Sequence, residues 1–510
     1  MNSDSRASCI LLLILALIPS AYLAWTFRDM PQFGEGHDDA ILFSSAKSLA
    51  DERGYRVASL PDEPFQTKYP PLYPALLGGI WRACPAFPAN LEYAMLLAWL
   101  PLPLLAAVSS IFYSRLGAPY LLAAVVAVNP YTVLFAISLR TELLFTAVLI
   151  AALLLLDDRP IAAGFLASVT YVTRTAGVAV IVAAIAMLLW RREYRKAMRF
   201  TAGVAPFVLA WTWWVQAHRV RTDDPNLLYY IDYLRFGLSN QDWGNIHLFV
   251  WKNAWAMIEG IGGLVLVDAG SSALVRGLLV LIAAASIAGL VRSAHIPRLQ
   301  TYIAFAVVYT GILLVWHFPP GERFLYPVFP LLIFGVYVEF TRLTRALQSS
   351  PQRGAAIAVG TMLAIFGGFV VWSQAEFLLH SIPSNMAAHR ANLAPNQEAF
   401  AWMKANVPDS DAILAYNDPV VYLYTGRHAM NIITPPRYYY EDRHDRMLDV
   451  QYGTVDFAIR RNLRYIYFDT RFRYVFTDDE QAEIFRRIET DPRVSVAFRT
   501  GPVRVFRLLQ

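Results

Sequence analysis

"SLRTELLFTAVLIAALLLLDDRPIAAGFLASVTYVTRTAGVAVIVAAIAMLLWRREYRKAMR" (residues 138–199) carries three apolar runs, at 141–156, 161–173 and 175–190. About 20 apolar residues cross the hydrocarbon of a bilayer as a helix, so the first two runs are short for the task. Inside a bilayer the backbone must satisfy its own hydrogen bonds, which makes such runs helical. The stretch closes on a basic cluster, RREYRKAMR (191–199). Lysine and arginine accumulate in cytoplasmic loops, so this end belongs inside. Alternation then sets Arg140, Glu142 and Arg174 at the outer ends of their helices. Charge at the edge of hydrocarbon is costly and marks either an interfacial ion pair or a functional site.

The pattern extends along most of the 510 residues, with further runs near 10–27, 91–112, 118–137, 201–217, 272–291, 299–317, 324–342 and 355–376. The chain is 56% hydrophobic and 16% charged, where soluble domains carry about 25% charged residues. The expected fold is mainly α: a polytopic transmembrane helical domain of about eleven passes. VRSAHIPR (291–298) and TRLTRALQSSPQRG (341–354) are further basic inside loops, and DDRP (157–160) is the inside loop without a positive excess. The N-terminus is then cytoplasmic, and 28–90, 218–271, 318–323 and everything after 376 are extracytoplasmic. The net charge of +5 reflects the inside loops and implies no nucleic-acid partner. The first run could be read as a signal peptide, but its length favours a retained helix. Cys9 and Cys84 make no disulfide framework. No internal repeat of the kind that builds inverted-repeat transporters is visible.

Beyond residue 376 the composition turns polar. Helical stretches near 394–406, 450–463 and 479–489 alternate with strand-like AILAY (412–416), YIYFD (465–469), VSVAF (494–498) and VRVFRLL (503–509). This alternation predicts a C-terminal extracytoplasmic α/β domain, 377–510, appended to a transmembrane domain, 1–376. It has no G-x-G-x-x-G motif and is assigned no nucleotide.

The first outer loop, 28–90, begins with GEGHDDAILFSSAKSLADERGY (34–55). Ile41, Leu42, Ala46 and Leu49 mark a helix that ends before Gly54. Asp38 and Asp39 fall in its first turn, where carboxylates suit the positive end of the helix dipole and can cap it. TKYPPLYPALLGGIWR (67–82) follows. Pro70 and Pro71 stop one helix and can start another, expected to lie on the membrane surface with Tyr69, Tyr73 and Trp81 at headgroup level. Lys68 either snorkels to lipid phosphate or meets substrate. Tyr229, Tyr230, Tyr233, Phe236, Trp243, Trp251 and Trp255 in the loop 218–271 suit an interfacial belt, with sugar stacking as the other use of such rings.

HFPPGERFLYPVFP (317–330) adds Glu322 and Arg323 at another outer helix end. Carboxylates and guanidinium groups therefore converge on the outer side. An outward cavity lined this way suits an anionic, membrane-held substrate whose leaving group is phosphate.

These residues resemble the integral-membrane glycosyltransferases of the GT-C fold, in particular the branch of protein O-mannosyltransferases and lipid A aminoarabinose transferases. The resemblance rests on the order of the pieces: HDDAILFSSAKSLA after the first helix, KYPPLYPALLG, the hairpins within 138–192, ERFLYPVFPLLIF, and DPVVYLYTGR (418–427) in a C-terminal outer domain. It implies transfer of a hexosyl- or pentosyl-type sugar from a polyprenyl-phosphate carrier to a glycan, lipid or protein acceptor on the outer, periplasmic face of a bacterial inner membrane. It also implies Asp38 or Asp39 as the base, Asp38 first, with Lys68 and Arg323 on the carrier phosphate. Tyr69, Arg174 and Glu322 complete the expected substrate-binding set. Thr67 stands where the aminoarabinose branch has an acidic residue. His37 and Asp38 are candidate ligands of a divalent metal, without a complete site.

An ionised carboxylate can take the proton of an acceptor hydroxyl as it attacks the anomeric carbon. Attack opposite the phosphate inverts that carbon. The alternative reading is a transporter or flippase of lipid-linked saccharides.

Overall fold

The computed structural model describes residues 3–241, 243–267, 270, 272–469 and 476–509. The chain forms two compact units. One comprises residues 1–28, 95–212 and 249–384; the other comprises 29–94, 213–248 and 385–510.

The first unit is helical, and every apolar run of the sequence within it is a helix or a broken helix. Among the described residues five helices are long and apolar enough to cross a membrane: Ala7–Thr26, Leu91–Arg115, Ala273–Ser293, Glu322–Gln348 and the continuous run Arg353–Asn406. Glu142–Leu155, Pro160–Thr173 and Thr175–Trp190 are shorter apolar helices. Large apolar side chains such as Ile14, Leu281, Met362 and Ile365 point outward. In an all-helical unit this composition places them against hydrocarbon. The interior holds Leu105, Phe145, Leu149, Phe200, Phe305 and Phe329.

Small residues set the closest helix crossings. A Cβ on Gly164 would lie 2.0 Å from the Phe200 carbonyl oxygen, and one on Gly203 would lie 2.2 Å from that of Ile161. Gly289 and Gly335 meet in the same way, each within 2.2 Å of a carbonyl oxygen of the facing helix. Backbones can approach this closely only where no side chain intervenes.

Breaks in the helices follow proline. Asn129 caps the helix that starts at Pro130 by accepting from Tyr131 N, and its Nδ2 donates to the Leu264 carbonyl at 2.7 Å. The segment at Glu322 begins as a single α-turn, Glu322–Leu325, passes through a 3-10 turn at Tyr326–Val328, and continues as the helix Phe329–Gln348. Tyr309, Tyr302 and Tyr113 each donate a hydroxyl at 2.7 Å to the carbonyls of Phe324, Pro327 and Pro330. Carbonyls along a broken helix need such partners when no water is at hand. This irregular turn is what presents Arg323.

The second unit is built on a five-stranded mixed sheet. Its strands are β1 (Ala412–Ala415), β2 (Ala429–Met430), β3 (Leu463–Phe468), β4 (Val494–Thr500) and β5 (Val503–Leu508), in the order β2-β1-β3-β5-β4. β1 is parallel to β2 and β3, and β5 is antiparallel to β3 and β4. The helix Asp418–Thr425 leaves the end of β1. The expected strands are present, the expected helix near 450–463 is split into His444–Tyr452 and Thr454–Arg460, and the two-residue β2, the helix Asp418–Thr425 and the short helix Arg437–Tyr440 are additions.

Residues 29–94 and 213–248 fold onto that sheet. Ile41, Val57 and Leu60 share one apolar cluster with Tyr230, Ile231, Leu414, Ile466 and Phe506. The Ala429 amide donates to the Ser59 carbonyl at 2.7 Å. The helix Asp38–Ala50 matches the expected one and packs on Leu72–Ala83. Tyr73 and Trp81, expected to meet headgroups, are instead buried against protein, and Trp81 Nε1 donates to the Phe43 carbonyl at 3.0 Å. Tyr230 and Phe236 are likewise core residues rather than members of a belt, while Trp251 stays exposed. The apolar side of the Leu72–Ala83 helix meets protein before it can meet lipid.

Candidate functional site

The second unit gathers Asp38, Lys68 and Tyr69, three of the residues singled out in the sequence. Asp38 opens its helix, and its Oδ1 accepts the Tyr69 hydroxyl. Asp39 turns the other way: its Oδ2 accepts the Gly34 amide at 2.8 Å and closes the preceding loop. Neither carboxylate caps the helix as expected, because the N-cap is His37 and makes no side-chain cap bond. Both still lie in the first turn, where the helix dipole favours negative charge.

Lys68 is set by Gln66, whose side-chain oxygen accepts the amides of Lys68 and Tyr69 at 3.0 and 3.2 Å. The lysine is buried rather than snorkelling. Its ammonium lies 4.6, 4.0 and 4.1 Å from the ring centroids of Tyr69, Tyr229 and Tyr233. Each aromatic face attracts a cation by about 0.5–2 kcal/mol, more as water is excluded. Three faces form a cage that fixes the charge. Burial pushes the Tyr69 and Tyr229 phenols well above their usual range, and the Asp38 carboxylate adds to both shifts. They remain protonated donors at neutral pH.

His37 stands beside this cage. It is the centre of a tight turn with φ 58 and ψ −46, closed by the Asp38 amide on the Gly36 carbonyl at 2.6 Å. Such a γ-turn is strained for a residue with a side chain. Its Nδ1 meets the Tyr229 hydroxyl at 3.0 Å, and its Nε2 meets Asp418 Oδ1 at 2.9 Å. Both ring nitrogens of the expected metal ligand are thus taken by protein groups, and Asp38 is held by Tyr69. Among the described residues no three His, Cys, Asp or Glu side chains are placed to hold a metal ion. No step is routed through a metal.

The first unit gathers a second group. Glu142, fully buried, accepts from Arg323 Nε at 2.6 Å and lies 2.8 Å from Arg174 Nη1. Arg140 adds a further positive charge near it. One carboxylate therefore holds two guanidinium groups side by side, with cation in excess. The guanidinium fork is suited to phosphate oxygens once a carboxylate has fixed its plane. Glu322, although next to Arg323, bonds to Tyr131 and lies against Gly263. It is not part of the Glu142 group.

No protein-family profile and no curated protein matches the sequence. Solved structures do. The crystal structure of ArnT from Cupriavidus metallidurans bound to undecaprenyl phosphate matches with a TM-score of 0.52 and 11% identity, over 96% of this chain and 97% of that one. Its apo form matches with a TM-score of 0.52 and 12% identity, over 99% and 98%. The chain has the GT-C fold. It is an integral membrane protein with an appended C-terminal sheet, and the GT-C likeness runs through both of its units. Nothing in DPVVYLYTGR marks Asp418 apart from its neighbours, and in the sequence Glu142 is one member of a charged set; only the fold makes it the residue that joins two arginines.

Proposed function

We propose that the chain is a membrane glycosyltransferase. It moves a sugar from a polyprenyl-phosphate carrier to an acceptor hydroxyl at the outer face of the membrane and inverts the anomeric carbon. The observation that carries this reading is the Asp38–Tyr69–Lys68 group, a carboxylate on the hydroxyl and a caged ammonium on the ring of one tyrosine, on the fold of a protein solved with undecaprenyl phosphate.

Asp38 is the base. Its carboxylate takes the acceptor proton as the hydroxyl oxygen attacks, the carbon–phosphate oxygen bond breaks, and the carrier leaves with its phosphate. Tyr69, a protonated donor, orients the carboxylate. Lys68 stabilises negative charge gathering on the leaving phosphate. Within the first unit, Arg174 and Arg323, aligned by Glu142, are a pair of guanidinium donors suited to a phosphate.

The test uses purified protein in lipid with radiolabelled polyprenyl-phosphate sugars and a panel of acceptors. Wild type transfers label, and Asp38→Asn loses about 10²–10⁴-fold in rate. Transfer undiminished in Asp38→Asn overturns the base assignment. Movement of the lipid-linked sugar across the bilayer without transfer replaces the enzyme by a flippase.

A further inference from the structure

We propose that Asp418 is a positioning residue of this site. Acting through His37 and Tyr229, it fixes the aromatic ring that carries the Lys68 ammonium.

Asp418 lies in the first turn of the helix that follows β1 and is fully buried. Its oxygens accept from His37 Nε2 at 2.9 Å, the Tyr230 hydroxyl at 2.7 Å and Ser59 Oγ at 3.0 Å. A buried carboxylate needs donors of this kind. The Tyr230 hydroxyl also accepts the Asn431 amide at 3.3 Å and so ties Asp418 to the backbone. His37 leads toward the lysine cage, because its other nitrogen continues to Tyr229.

The chemistry of the partners gives the chain a direction. An ionised carboxylate can only accept, so the proton of a neutral His37 sits on Nε2. Nδ1 is then an acceptor, and the Tyr229 phenol, kept protonated by burial, donates into it. A phenol that donates its proton gains electron density in the ring. That ring is the nearest of the three to Lys68 Nζ, at 4.0 Å. The imidazole also lies over the Tyr229 ring, with centroids 5.7 Å apart at 27°.

The backbone supplies a second reason. Strained φ,ψ pairs persist only where the surroundings over-determine them. His37 is held in its γ-turn by side-chain bonds at both nitrogens, and the next residue is Asp38. One buried carboxylate therefore governs the placement of the caged lysine and the start of the helix that carries the base.

The kinetic arm below rests on the function proposed above; the spectroscopic arm does not. Full-length protein labelled with ¹⁵N-histidine is reconstituted in lipid, and the His37 signals are identified by their loss in His37→Gln. At a pH where His37 carries a single ring proton, wild type shows that proton on Nε2. Asp418→Asn loses this fixed tautomer, whereas Tyr229→Phe keeps the proton on Nε2 and shifts the Nδ1 signal, which has lost its donor. Protonation on Nδ1 in wild type, or an unchanged signal in both variants, overturns the relay. Should Asp418→Asn not fold, Tyr229→Phe tests the other end while keeping the ring.

In the second arm undecaprenyl phosphate is titrated into the same proteins. Tyr229→Phe, His37→Gln and Asp418→Asn each weaken binding by about threefold to tenfold, and the double variant His37→Gln/Asp418→Asn is no weaker than either single. Losses that multiply overturn a serial relay. A wild type that does not bind this probe overturns the carrier reading instead, while the ¹⁵N signals still decide the relay.

Discussion

Asp38 and Asp39 are neighbours with different partners, Tyr69 and the Gly34 amide, because successive side chains on an α-helix diverge by about 100°. The sequence offered both for the same task, and only the packing around the turn separates them. Asp39→Ala removes the acceptor of a buried amide. It should lower stability by about 1–3 kcal/mol while leaving turnover per folded molecule nearly intact, as thermal unfolding and active-site titration would show. Glu142→Ala should act more severely. It leaves two guanidinium groups without their shared carboxylate, at a cost of about 3–5 kcal/mol, read as a lower unfolding midpoint in detergent. The buried phenols predict an alkaline limit. Tyr55, Tyr69, Tyr229 and Tyr230 all have pKa values raised by burial. Above pH of about 10 the unfolded chain releases these protons and the folded one keeps them, so stability is full below that pH and falls above it. The slope is about 1.4 kcal/mol per pH unit for each phenol. Absorbance of phenolate should therefore rise together with unfolding; phenolate appearing well before unfolding would contradict the burial.

Elements were the most legible level. Each apolar run became helical because hydrocarbon leaves the backbone no other way to satisfy its hydrogen bonds. The aromatic residues were harder, since Tyr and Trp suit an interface and a half-polar interior equally well. Tyr73, Trp81 and Tyr230 turned inward because a neighbouring segment was there to receive them. β2 was invisible for a different reason: two residues carry no period. The glycine crossings also escaped reading, because a small residue in an apolar run looks the same whether it faces lipid or a helix. They make a sharp prediction. Gly289→Leu should force the helices Ala273–Ser293 and Phe329–Gln348 apart and cost about 1–3 kcal/mol or more. Gly360→Leu, where an added Cβ meets nothing within 4 Å, should be nearly neutral. Comparing the unfolding midpoints of these two variants separates a packing effect from a general effect of glycine replacement.

At the scale of the whole molecule, three segments distant in sequence, 29–94, 213–248 and 385–510, make one unit. They share a continuous apolar core. A bilayer cannot pass through such a core, so all three segments must lie on the same side of the membrane. The eleven passes expected from the sequence, with the basic loops, predict that this side is the outer one. The side itself is open to measurement. Arg446, more than half exposed in the helix His444–Tyr452, is replaced by cysteine in a background lacking Cys9 and Cys84. An impermeant maleimide applied to intact cells should label this position, and a cysteine in the basic loop 191–199 should be labelled only after lysis. The reverse pattern would turn the molecule over. Asp38 and Lys68 would then face the cytoplasm, and a carrier-linked sugar presented on the outer face could not be the substrate. Because the common core ties the three segments together, one labelled position fixes the side for Asp38, Lys68, Tyr229 and Asp418 at once.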